Sequence, residues 1–111
     1  MTPLADPALK ERRSVTEKDE MRLHVRCFGK AVVHEREEVR MSRQELAKRS
    51  GIRLPLLTRI ENGTASSSSF GLDEICKISE AVKLHPYMLM ATYERFVKEL
   101  GVEFGTRKKP K

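Results

Sequence analysis

Between Ser42 and Gly63 the chain starts and stops two helices in quick succession, and nothing else in the sequence restricts its fold as tightly. Ser42-Arg-Gln-Glu45 has the form of a capping box. It opens a short helix over residues 43–49, with Leu46 and Ala47 facing inward. Gly51 stands where that helix must end, at a position suited to positive φ. A second helix is expected over residues 54–61, where Pro55 is tolerated because a first helical turn has no intrahelical N–H partner to lose. Leu57 and Ile60 supply its core side, and Asn62-Gly63 stops it. A small Ala47 lets the two helices approach closely, and Ile52 and Leu57 plug the corner between them.

The flanking sequence is also helical in pattern. Residues 1–15 hold two prolines and little periodicity, and are expected to form a flexible arm. Ser14 and Thr16 are N-cap candidates, each followed three residues later by an acid, Glu17 or Asp19. Met21, Val25, Phe28, Val32 and Val39 then recur near helical spacing. They predict a helix over residues 16–39, either continuous or broken near Gly29. Thr64 to Ser69 is a serine-rich loop. Leu72, Ile75, Ile78 and Val82 form one apolar stripe of a helix over residues 71–83. His85-Pro86 is a break, because the residue before proline avoids the α region. Pro86 can start a last helix over residues 86–100, which Gly101 ends. Arg107, Lys108, Lys109 and Lys111 make a loose basic tail of 101–111. There is no internal repeat and no strand-like alternation. Aromatic residues are 5% of the chain and tryptophan is absent, so the core falls to Leu, Ile, Val, Met and a few Phe. The expected fold class is all-α: a compact five-helix domain over residues 16–100, with the arm before it and the tail after it.

Several functions are excluded or unsupported. No apolar run approaches the roughly 20 residues needed to span a bilayer, and Met1-Thr-Pro-Leu-Ala-Asp-Pro does not have the form of a signal peptide. Cys27 and Cys76 stand far apart with no ligand-spaced neighbour, so free thiols in a reducing compartment are expected, both as small core residues. His34 and Glu38 lie at i, i+4 without a third metal ligand. His24 and His85 have no partner in sequence reach. Met88 and Met90 are expected to serve packing. No Ser/His/Asp or Cys/His set and no glycine-rich phosphate loop is present. The sequence therefore offers no catalytic residue, no cofactor and no metal site, and it is expected not to be an enzyme.

The charge points elsewhere. The formal net charge is +6, and its placement matters more than its sum. Arg40, Arg43, Lys48, Arg49, Arg53 and Arg59 stand against Glu45 alone in residues 40–59. Such a concentration suits phosphate, or else a solvated basic face. Two short helices joined through Gly51-Ile52-Arg53 within that stretch form a helix-turn-helix candidate.

From Phe28 to about Leu89 the sequence resembles the Cro/repressor-type (Xre-like) helix-turn-helix family. The resemblance rests on Phe28-Gly29-x-x-Val32-x-x-x-Arg36, Met41-Ser42-x-x-Glu45-Leu46-Ala47 and Gly51-Ile52. It continues through Leu57-Thr58-Arg59-Ile60-Glu61-Asn62-Gly63 and Ile75-x-x-Ile78-x-x-Ala81-Val82. It implies a lambda-repressor-like domain that binds duplex DNA with its third helix in the major groove. It also implies that Arg36 pairs with Glu61 and locks the first helix onto the end of the third. The expected product is a homodimeric transcriptional regulator of repressor type, cytoplasmic and nucleoid-associated.

The sequence departs from that family in four places. Arg43 replaces a usual glutamine, and can still reach phosphate. Arg40 replaces a usual turn glycine, which requires a strained φ or a different turn. Arg53 replaces the usual capping Ser or Thr. Leu54-Pro55-Leu56 opens the third helix where hydrogen-bonding side chains are common. Two readings follow. In the first, Arg43, Gln44, Arg53, Leu54, Pro55, Leu56, Thr58, Arg59, Asn62 and Thr64 face DNA. Arg59 then reads guanine, Leu54 and Leu56 touch thymine methyls, and Ser66 to Ser69 stand near phosphate. In the second, Leu54–Leu56 is an apolar patch through which an antitoxin-like or adaptor protein docks on a protein partner. Leu89, Tyr93, Phe96 and Leu100 have the spacing of a helix–helix seam and are the expected dimer element, with Met88, Ala91 and Val97 turned to the domain's own core.

Overall fold

A computed structural model gives the protein's fold over residues 17–100. The expected arm 1–15, the caps Ser14 and Thr16, and the tail 101–111 lie outside the described residues. Five α-helices follow one another among the described residues: α1 Glu17–Glu38, α2 Arg43–Ser50, α3 Leu54–Asn62, α4 Leu72–Ala81 and α5 Pro86–Leu100. One short 3₁₀ turn, Ser67–Ser69, lies inside the serine-rich loop.

α1 is continuous through Gly29, which does not break it. Gly29 is there for contact. A Cβ at this position would stand 2.2 Å from the carbonyl oxygen of Ile60 and 2.9 Å from that of Glu61. The missing side chain therefore lets α1 lie directly on the backbone at the end of α3. Val25, Phe28 and Val32 face inward one or two turns apart, with Ala31 beside them. α1 packs on both α3 and α5, which makes it the spine of the domain.

α2 opens on Ser42, whose Oγ accepts the Glu45 N–H at 3.0 Å. The Glu45 carboxylate pairs with Arg49 Nη2 at 2.8 Å. α2 closes on Gly51, whose φ of 79° is the conformation that glycine adopts without strain. The Ser50 hydroxyl is buried and accepts the Ile52 N–H at 3.1 Å, so the turn leaves no buried donor unpaired there. α3 ends on Gly63 at φ 76°. Leu46, Leu57, Ile60 and Ile78 are fully buried together, and Ile52 plugs the corner. Each such side chain contributes about 1.5–3 kcal/mol relative to exposure.

Four sequence expectations change. Met21 and Val39, placed on the apolar stripe of the first helix, are about half exposed. Leu72 sits in the first turn of α4, where no element covers it, and is 74% exposed. Cys76 is exposed rather than in the core, because α4 turns Ile75, Ile78 and Ser79 inward instead; Cys27 is buried. Burial pushes the Cys27 thiol up, partly offset by Arg26 and Lys30.

The largest change concerns α5. Leu89 is fully buried in the chain's own core and so is not available to a second copy. Tyr93 and Phe96 pack against that same core. The Tyr93 hydroxyl is hydrogen-bonded to His24 Nδ1 at 2.8 Å, and Phe96 meets the His34 ring edge-on. Thr92 Oγ1 donates to Glu35 of α1. Val97 is buried as expected, but Met88 and Ala91 face outward. Seen from its neighbours, α5 is held by α1 along the stripe that the sequence assigns to a dimer seam. Leu100 remains half exposed.

Candidate nucleic-acid interface

α3 is amphipathic, and its two sides have different chemistry. Leu57, Ile60 and Glu61 are buried. Pro55, Arg59 and Asn62 recur on the opposite side and are exposed, with Thr58 half-buried beside them. Arg53 and Leu54 extend that exposed surface at its start, and Thr64 at its end. Leu56 is half-buried against the core, so the apolar surface at the start of α3 is Leu54 and Pro55 rather than all three residues. Arg53 is the N-cap with φ −65° and ψ 142°, and its side chain makes no cap hydrogen bond.

A buried carboxylate holds this helix in place. The Glu61 side chain is fully buried, and two arginines meet it. Arg36 Nε donates to Glu61 Oε2 at 2.8 Å, and Arg36 Nη2 donates to Oε1 at 3.0 Å. Arg36 Nη1 also donates to the Met41 carbonyl at 2.9 Å. Arg43 Nε donates to Glu61 Oε1 at 2.9 Å. The last turn of α1 and the first residue of α2 thus meet the end of α3 at one carboxylate, and Arg36 ties in the α1–α2 connection through the Met41 carbonyl. A two-toothed arginine–carboxylate contact fixes orientation as well as distance. Arg43 is therefore not a free arm: its Nε is committed to Glu61, while its side chain remains one-third exposed.

The remaining cations divide into paired and unpaired. Arg49 is neutralised by Glu45. Lys48, Arg53 and Arg59 make no ion pair among the described residues. Gln44 is exposed on α2. The Thr64 N–H donates to the Arg59 carbonyl at 2.9 Å and fixes the chain as it leaves α3. Beyond it, the Ser66 hydroxyl is hydrogen-bonded to those of Ser68 and Ser69 at 2.9 and 3.0 Å.

Two features escape a linear reading. Arg26 of α1 lies against Gly63, where an added Cβ would come 2.7 Å from its Cγ. This brings a further exposed cation to the end of α3. The second is the contact between Arg43 and Glu61, which are 18 residues apart. His34 approaches Glu38 at 3.9 Å, and no group of three or more metal-ligating side chains occurs among the described residues. No helix there is long and apolar enough to cross a membrane.

A family model described as helix-turn-helix matches residues 34–89, which spans the last part of α1 through the start of α5. No curated protein matches the chain.

Proposed function

Because the chain belongs to the Xre/Cro-like helix-turn-helix family, we propose that it binds duplex DNA sequence-specifically and regulates transcription. In this reading α3 enters the major groove, and a homodimer regulates transcription by occupying an operator. The protein then works in the cytoplasm, on the nucleoid.

One observation carries the reading. The exposed side of α3 has Arg53 at its start and Arg59 in its last turn, neither in an ion pair, while its buried side is clamped through Glu61. Rigid placement of unneutralised cations beside a helix is what phosphate binding requires, and an apolar docking surface has no need of it. Arg43 and Gln44 at the start of α2 meet the backbone, and Thr64 meets it beyond α3. Leu54 and Pro55 contact thymine methyls. Arg59 reads guanine, and Thr58 and Asn62 share the same exposed side. Leu56, half-buried, contributes less apolar surface to a protein partner than an open Leu-Pro-Leu patch would.

The test is a titration of genomic DNA fragments with the full chain at two salt concentrations. Affinity falls steeply with salt, because each neutralised phosphate adds about 0.9 to the log–log slope. A flat salt dependence, or no binding at low salt, supports the adaptor reading instead.

A further inference from the structure

Four helices of this domain end in two different ways. α2 and α3 close on Gly51 and Gly63, at φ 79° and 76°. α1 and α4 close through Arg40 and Lys83, at φ 55° and 60°. Arg40 N–H donates to the Glu37 carbonyl, and Lys83 N–H to the Glu80 carbonyl, both at 3.0 Å. A left-handed conformation is costly for any residue with a Cβ, and glycine would occupy both positions freely. The two positions that carry a long cation in place of glycine open onto the same recess.

That recess has a volume of about 250 Å³. Arg40, Lys83 and Arg49 line it with Glu45, and Val39 and Val82 supply apolar wall. The Glu45 carboxylate is taken by Arg49. Arg40 and Lys83 make no ion pair among the described residues. The recess therefore keeps two unneutralised positive charges. Glu37, Glu38 and Glu80 lie nearby in sequence but are not part of its lining. A cation near a helix C-terminus also offsets the helix dipole. α2 and α3 meet that need with Lys48, Arg49 and Arg59 in their last turns and close on glycine, whereas α4 has no basic residue in its last turn, so Lys83 can serve it there. α1 already has Arg36 in its last turn. Dipole relief therefore accounts for Lys83 but not for Arg40, nor for the meeting of the two cations in one recess.

We propose that this recess is a second anion site, separate from α3, which takes phosphate groups through Arg40 and Lys83. The same chemistry has two sources: the backbone of DNA beyond the part covered by α3, or a free polyphosphate. The first rests on the DNA-binding reading above, and the second does not.

The test uses the full chain with Arg40→Gly and Lys83→Gly combined. Glycine suits both backbone positions, so the melting temperature holds or rises, and any loss of binding is not a loss of fold. A control variant, Arg95→Gln with Lys98→Gln, removes the same charge from α5. If the source is DNA, the salt slope of the double glycine variant falls by about 1.8, two phosphates' worth, and the control falls less. If the source is free polyphosphate, inorganic tripolyphosphate shifts the Arg40, Met41, Val82 and Lys83 amide resonances. Its affinity then drops in the glycine variant more than in the control, with the DNA slope unchanged. A glycine variant that matches the control in both measurements overturns the proposal. A wild-type chain that binds no DNA removes the proposed function alone, and the tripolyphosphate arm still decides for or against the recess.

Discussion

A single buried carboxylate joins α1, α2 and α3. Glu61 is taken out of water completely and is repaid by Arg36 and Arg43 together. Removing one partner of such a pair leaves the others charged and poorly solvated. Glu61→Ala is therefore expected to cost roughly 3–5 kcal/mol in urea unfolding, and a midpoint close to wild type would show that solvent reaches the arginines. The same geometry separates two arginines in DNA binding. Arg59→Ala relaxes discrimination at one base pair by about 1–3 kcal/mol. Arg43→Ala weakens all sequences about equally and lowers the salt slope by about 0.9. It also lowers stability, because it strips a partner from Glu61. Equal effects on specificity from both variants would remove the readout role of Arg59. A fourth residue acts through pH. Burial holds the His24 imidazole below its ordinary value, against a smaller opposite pull from Glu20. The unfolded chain then binds this proton more readily than the folded one, so stability falls as pH drops below about 6.5. His24→Gln can keep a hydrogen bond to Tyr93 but removes the titration. Urea midpoints at neutral and mildly acidic pH should therefore differ less in the variant, and an unchanged difference would mean that His24 contributes nothing to the acid slope.

At the scale of the elements, α3 is held firmly at its end and weakly at its start. Arg53 has extended cap geometry but no oxygen to offer the first N–H groups. Arg53→Ser supplies one and should stabilise the domain by about 1 kcal/mol. It should also lower the DNA salt slope by about 0.9 if Arg53 meets phosphate. Greater stability with unchanged binding would leave Arg53 without a role on DNA. This helix and its neighbours were largely legible in the sequence, because local signals define them: Ser42 before α2, Pro55 in the first turn of α3, Gly51 and Gly63 after the two helices. The strained φ of Arg40 was one of two alternatives, and the structure selects it. What was not legible depends on contacts across the chain. Nothing local reveals that Gly29 is a contact surface for α3, or that Arg43 reaches Glu61. Cys76 and Leu72 fit a helical period as well as buried residues do, and only the placement of α2 and α5 leaves them outside. Periodicity put Leu89, Tyr93 and Phe96 on one side of α5 but could not say what covers it, and it turned Met88 and Ala91 inward where they face outward.

At the scale of the molecule, the proposed function sets a requirement on how two copies would meet. Palindromic operators are read by two-fold dimers, with recognition helices about 34 Å apart, so the proposed function calls for a contact between chains. The full stripe from Leu89 to Leu100 cannot supply it. Leu89 is buried, and Tyr93 and Phe96 are held by His24 and His34 of α1. The far end of α5 is different, since Leu100 is 48% exposed in the single chain. Leu100→Glu puts a charge into a contact there without touching the core. Phe96 is left alone, because replacing it would disturb α1 and confuse dissociation with unfolding. Sedimentation equilibrium should give a dimer for wild type and a monomer for Leu100→Glu, with the two melting at similar temperatures in the dilute limit. A wild-type monomer would remove the dimer from the proposed mechanism. A variant that stays dimeric would move the contact away from the end of α5, to another exposed apolar side chain such as Tyr87 or Leu72.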